Sequence, residues 1–355
     1  MYKLLLLIFL IPIAITATDK KGKYTKNKVI TKEFKVNSNA FLNVTNKYGN
    51  IDIVTWNENS ISIKVSITTN GDNEEKVKDK LDEITVDFSG NLNEVTAKTI
   101  IEKTSNSWSL WGKNNNVNME INYQIKMPIT NNVNLNNDYG GISIDKLEGS
   151  SKINCDYGKL NIGELLSSDN QINIDYTNNS TIQYMKDGSI NADYSKLHVE
   201  KSGKIKLNAD YSNLSFGMMI DLFYDCDYGD LKIKSIGNLK GNSSYMNINV
   251  DKLSGSGEFG IDYGSLKINE LSDHFKLIKV QSSYSHLKFG INNSNSFNIN
   301  ATLNYGSIKG VDGFTFNKEI KNTTSKYYEG FYNKQNSNSL ISIKSGYGSL
   351  TFTTN

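Results

Sequence analysis

Five aspartates recur at nearly even intervals, Asp156, Asp175, Asp193, Asp210 and Asp227, and each directly precedes a tyrosine. Carboxylates in such a series have three uses. Two of them can share general acid and base work on a glycan, as in a polysaccharide lyase or hydrolase. They can be bridged by calcium. Or they can bond neighbouring backbone and do no chemistry. If the series stacks, ionised neighbours about 5 Å apart raise one another's pKa or recruit a cation. The tyrosines have two readings as well, an aromatic strip for glycan or a packed corner stack. Trp108 and Trp111 lie in a polar stretch, Ser105 to Asn116, where they can meet sugars or partners or fold back onto the protein. His198, His274 and His286 are scattered, and no cysteine or carboxylate spacing around them makes a metal site. No metal, cofactor or catalytic residue is therefore assigned. The chain has no arginine, so no guanidinium can serve as a lyase base or clamp a uronate. An active site also breaks a repeat with unique residues, whereas these aspartates are the repeat, and a solvated structural ladder is the favoured reading.

The elements that must position these residues follow from the period. The repeat is marked by Tyr139, Tyr157, Tyr176, Tyr194, Tyr211, Tyr228, Tyr245, Tyr263, Tyr284 and Tyr305, with outlying copies of the block at Tyr48 and Tyr347. The steps between the ten run from 17 to 21 residues. Counting from the tyrosine, positions −4 and −2 are mostly apolar or small (Ile153 and Cys155, Ile190 and Ala192, Phe259 and Ile261). Positions −3 and −1 carry Asn and Asp. This alternation is that of a strand with one face in a core. After the tyrosine the apolar positions become +3 and +5, as in Leu160 and Ile162. A straight strand cannot change parity without exposing its core face, so the chain must bend or bulge at Tyr-Gly. Small residues such as Gly158, Ser195 and Gly264 follow most of the tyrosines. A unit of about 18 residues cannot bury its own face and must stack on its copies. The expected fold is all-β, a parallel β-solenoid of about ten or more coils. The tyrosines then form one repeat-defining ladder. Cys155 and Cys226 share column −2 four coils apart, roughly 19 Å, too far for a disulfide. Two buried free thiols are expected.

Residues 1–17 read as a signal peptide: Lys3, the apolar run Leu4 to Ile15, then small residues. The run is shorter than a membrane span and no other approaches its length. Residues 18–55 are read as a leader and first coil, with Lys20 to Lys35 solvated. Residues 56–132 are read as an antiparallel cap with one short helix, Glu74 to Ile84. Residues 133–311 form the repeats. Residues 312–355 are read as a hairpin, in which Tyr327 to Tyr332 precede a polar turn and the strand Leu340 to Ile343, followed by a last coil at Tyr347. Charge is near balance, with 39 basic and 37 acidic residues, which argues against a nucleic-acid partner.

The segment Asn46-Lys47-Tyr48-Gly49-Asn50-Ile51-Asp52-Ile53, the Asp-Tyr-Gly blocks and the closing Gly346-Tyr347-Gly348-Ser349-Leu350-Thr351-Phe352 resemble the "putative adhesin" family of exported bacterial β-solenoids, a domain of unknown function. The resemblance implies an adhesin-like or cell-envelope role and supplies no catalytic residues. The resulting expectation is an exported, non-enzymatic solenoid in the periplasm, at the cell surface or outside the cell. A glycan, matrix or envelope component is the expected partner. A self-assembling structural solenoid and a polysaccharide-active enzyme are the alternatives.

Overall fold

The computed structural model describes residues 22–102 and 117–354. The expected signal peptide and the Trp108 and Trp111 loop lie outside them. The described chain is all-β with one helix, and its strands join in one large, mostly parallel sheet.

Two ladders of parallel strands run through it, one built from segments before the tyrosines and one from segments after them. In the first, Ser151–Asp156 pairs with Asn132–Asp138 on one side and Asn170–Asp175 on the other, placing Ile153 between Leu135 and Ile172. In the second, Lys159–Leu165 pairs with Gly141–Leu147. The register follows from the apolar columns, since a slip of one residue would turn Ile153 and Cys155 outward. Both are buried, as are Leu160 and Ile162. The core thus lies between the ladders as columns of like residues. Where a column holds an oversized side chain, its neighbour shrinks. Tyr224 is buried at −4, and a Cβ on Gly241 in the next layer would lie 2.6 Å from its ring.

The extended stretch from Lys196 to Leu253 is continuous in its pairing and crosses three tyrosines. It is not straight, because Tyr211, Tyr228 and Tyr245 each have a left-handed backbone, and contacts recur seventeen residues apart, as in the Ser244 N–H donated to Asp227 Oδ1 at 2.8 Å.

Three expectations are corrected. Lys20 to Lys35 is not a solvated leader throughout: Tyr24–Lys35 is a strand antiparallel to Ser60–Gly71. Its lysines are not all free in solvent, for Lys26 meets Glu74 on the helix at 2.6 Å. The C-terminal hairpin is not made by the Tyr327 to Tyr332 and Leu340 to Ile343 segments. Ser325–Tyr332 instead pairs antiparallel with Phe297–Asn304 and Phe314–Lys321. Leu340–Gly346 runs parallel between Leu277–Ser283 and Phe297–Asn304. The Tyr347 layer is therefore inserted between those of Tyr284 and Tyr305 rather than added at the end. Ile341 and Ile343 fit the apolar column there, which is why the insertion costs no core contact.

The helix, Glu74–Asp82, starts at Asn73, whose side chain accepts from the Lys76 N–H at 3.0 Å. Val77 is its buried residue. Among the described residues no helix is long and apolar enough to cross a membrane.

Candidate functional site

The tyrosines form one file in the order Tyr48, Tyr139, Tyr157, Tyr176, Tyr194, Tyr211, Tyr228, Tyr245, Tyr263, Tyr284, Tyr347, Tyr305. Successive ring centroids are 4.6–5.3 Å apart and the planes lie within 11° of parallel. Every one of these tyrosines has φ between 50 and 62°. The corner expected at Tyr-Gly is thus made by the tyrosine itself, and of the residues that follow these tyrosines only Gly229 also has a positive φ, 155°. For an L-residue the left-handed conformation of these tyrosines costs about 1–2 kcal/mol. Stacking on two neighbours, at about 0.5–1.5 kcal/mol each, offsets it. A further anchor is the backbone: the Tyr157 N–H donates to the Asp175 carbonyl at 2.9 Å and the Tyr176 N–H to the Asp193 carbonyl at 3.1 Å, and Tyr139 and Tyr194 do likewise to Asp156 and Asp210.

The expectation of a packed corner stack is corrected in one respect. The rings stack on each other, but they are not packed into the core: Tyr48 at one end is 38% exposed, Tyr176 in the interior of the file 43% and Tyr305 at the other end 61%. The left-handed backbone at each tyrosine turns its side chain out of the apolar columns at −4 and −2, so the ring covers its neighbour's face and leaves its edge to solvent. Interior rings such as Tyr176, between Tyr157 and Tyr194, nevertheless have both faces covered. A sugar stacks on a ring face, so the file offers it edges and hydroxyls but no platform except at its two ends.

Asp138, Asp156, Asp175, Asp193, Asp210 and Asp227 each stand one place before their tyrosine. The column is closed at one end by Lys47, which occupies the same place before Tyr48 and meets Asp138 at 2.8 Å. Burial raises the Asp156 and Asp210 carboxyls above the usual range, and the flanking aspartates add to it. Their bonds run to the next layer: the Asp210 N–H donates to Asp193 Oδ1 at 3.2 Å. Asparagines two places earlier form a second ladder, in which Asn154 donates to Asn136, Asn173 to Asn154 and Asn191 to Asn173 at 2.6–2.7 Å. Among the described residues no three of His, Cys, Asp and Glu gather as a metal site. Cys155 and Cys226 are buried free thiols, and burial pushes each up to about 12. His198 lies part-exposed at the surface, bonded to Ser215 and Glu200 at 2.9 and 3.0 Å.

Sequence reasoning missed the feature that follows. Past Tyr228 the two outward columns stop being uniform. Position −3 reads Asp225, Asn242, Gly260, Gln281, Lys344 and Thr302 in stacking order. Position −1 alternates Asp227 and Asp262 with Ser244, Ser283 and Gly346. The small residues leave a concave groove of about 770 Å³ along six layers. It carries carboxylates, one lysine, amides and hydroxyls, and its volume suits a small ligand. The signal was present as column breaks, but only the correct stacking order makes them adjacent.

No family model matches the chain, and no curated protein matches it. Solved structures similar to it include a "putative cell adhesion protein" from Clostridium sporogenes, 12% identical over 93% of this chain and 100% of that one, with a TM-score of 0.18. Others are a "putative adhesin" from Parabacteroides merdae, 10% identical over 74% and 96%, TM-score 0.36, and a "putative lipid binding protein" from Parabacteroides distasonis, 10% identical over 74% and 96%, TM-score 0.29. The chain is similar to bacterial proteins described as putative adhesins. At these identities and scores the likeness carries no role to its residues.

Proposed function

We propose that the chain is an exported, non-enzymatic parallel β-solenoid with an adhesin-like role, which binds a hydroxyl-rich partner, a glycan, in the polar groove along positions −3 and −1. Its coils are the tyrosine-marked layers of about 18 residues, and the antiparallel strands with the helix form an N-terminal cap. Export rests on the Leu4 to Ile15 run and the small residues after it.

The observation that carries the binding reading is the coincidence of the groove with the break in the outward columns. From Asn136 to Asn191 one residue type repeats and bonds to itself. Along the groove Asn242 keeps that type while Gln281 and Lys344 replace it, and all three line a concavity. From Asp138 to Asp227 the aspartate column repeats in every layer, which supports a structural role for it and against catalysis. Self-assembly end to end is less well supported. The outer strand Tyr24–Lys35 carries Lys26, Lys28, Lys32 and Lys35, which blunt a sheet edge against pairing.

A glycan array probed with the mature chain and with the triple variant N242A/Q281A/K344A tests this. The expected result is glycan binding by the first and loss in the second, with an unchanged melting temperature. Absence of glycan binding by the mature chain would contradict the ligand class, and equal binding by both would contradict the groove.

A further inference from the structure

Away from the tyrosine file and the groove columns, one layer exposes three large apolar side chains. Met218 is 52% exposed, Ile220 58% and Phe223 55%, while the intervening Met219 and Leu222 are buried. Nothing in the core requires apolar residues at outward positions, and the layers on either side do not repeat them. At the seventeen-residue step of this region, the residues beside Met218 are Lys201 and Ser235, those beside Ile220 are Gly203 and Gly237, and those beside Phe223 are Lys206 and Lys240. The step is fixed by contacts such as Asn238 Nδ2 donating to Asp221 Oδ1 at 2.8 Å, and by the Ile220 carbonyl, which a Cβ on Gly237 would meet at 2.5 Å. Glycines above and below therefore leave Ile220 standing proud of the sheet.

The charges around the patch are unequal. Lys204 is 3.8 Å from Asp221, and Lys240 is 3.4 Å from Glu258. Lys201, Lys206 and Lys234 are exposed and form no ion pair among the described residues. An apolar tip ringed by unpaired lysines has the composition of an interfacial anchor, in which the apolar groups enter the acyl boundary and the ammonium groups meet anionic headgroups. A second copy of the chain fits less well, because a two-fold contact through this patch brings lysines towards lysines.

We propose that Met218, Ile220 and Phe223, with Lys201, Lys206 and Lys234, form a docking surface for an anionic lipid bilayer. The patch shares no residue with the groove, although Phe223 lies two places before the groove residue Asp225 on one strand, and the two readings are tested by different ligands and different variants.

Co-sedimentation of the mature chain with vesicles tests the proposal, using phosphatidylcholine alone and an equal mixture of phosphatidylcholine and phosphatidylglycerol. Binding to the mixture, weakened by salt and absent for phosphatidylcholine alone, is the expected result. I220S/F223S should lower the partition coefficient at least tenfold, and each of K201Q, K206Q and K234Q about fivefold. All five positions are on the surface, and the tyrosine near-ultraviolet circular dichroism should be retained. Equal binding to the two vesicle types, no binding to either, or full binding by I220S/F223S would overturn the proposal. So would concentration-dependent self-association abolished by I220S/F223S, which would assign the patch to a second copy.

Discussion

The layers from Tyr139 to Tyr211 and those from Tyr228 to Tyr305 share one core and differ on one face. In the first group the asparagine and aspartate columns are nearly invariant, and the asparagine side chains bond to one another across layers. In the second the same columns are mixed, the surface is hollowed, and a strand pair from the end of the chain is inserted between layers. Core columns hold mostly apolar or small residues, Tyr224 being an exception, because a polar group left without a partner there is costly. Outward columns have no such constraint, so they are free to change without cost to the fold. The mixed half is where the proposed glycan site lies.

If the inserted layer is as integral as the uniform ones, I343A should cost as much as I153A. Both residues are essentially fully buried, and each substitution should lower unfolding free energy by about 2–5 kcal/mol in urea titrations. A much smaller cost for I343A would make the insertion a loose appendage.

The tyrosine file sharpens the contrast between interior and end. Y211A keeps the left-handed backbone and loses two stacking partners, so it should cost about 1–3 kcal/mol. Y211G relieves the backbone and should be about 1 kcal/mol less damaging. Y305A loses a single ring contact and should cost about half as much as Y211A. Urea midpoints of the three variants give the ranking directly.

Alkali should weaken both halves through their buried acids. The Cys155 and Cys226 thiols rise from 9.0 to about 12 on burial. A raised pKa means the folded state holds its proton more tightly, so the stability it contributes is whole below pH 9 and is lost as pH climbs towards 12. The Tyr157 and Tyr228 phenols are also raised, first by burial and then by the stacked neighbours, and act in the same direction. The urea midpoint should hold steady up to pH 9 and fall above it, and thiol reagents should label neither cysteine before unfolding.

The smallest effect is expected in the aspartate column. The Asp156 carboxyl is raised by burial and by Asp138 and Asp175. Its contribution is therefore present below the ordinary carboxylate pKa and lost as pH rises through the folded value, the reverse of a paired carboxylate. D156N should raise the urea midpoint slightly at neutral pH, and the gain should vanish in acid.

Much of this was legible from the repeat. The −4 and −2 columns followed from apolar parity, and so did the buried, unbridged Cys155 and Cys226. Helix Glu74–Asp82 was visible in the spacing of Val77 and Leu81. The left-handed tyrosines were not, because intrinsic preference places that conformation on glycine, and only a file of mutually supporting rings overrides it. The exposure of rings such as Tyr176 was hidden for the same reason, since an ordinary backbone there would have kept them in parity with the apolar columns. The position of Tyr347 was equally hidden. The steps from Tyr263 to Tyr284 and from Tyr284 to Tyr305 are the same length, yet only the first joins neighbours. The groove was lost with it, since Lys344 belongs to the inserted layer.

The stacking order is tested most directly by paired cysteines on the outward side of the three strands concerned. Ser342 lies opposite Lys279 on one side and Asn300 on the other. Adjacent strands are about 4.8 Å apart, within disulfide reach, whereas strands two layers apart are about 10 Å apart and beyond it. On oxidation, K279C/S342C and N300C/S342C should each cross-link, and K279C/N300C should not. Cross-linking of K279C/N300C with neither Ser342 pair reacting would place the Tyr305 layer directly on Tyr284 and contradict the order of the file.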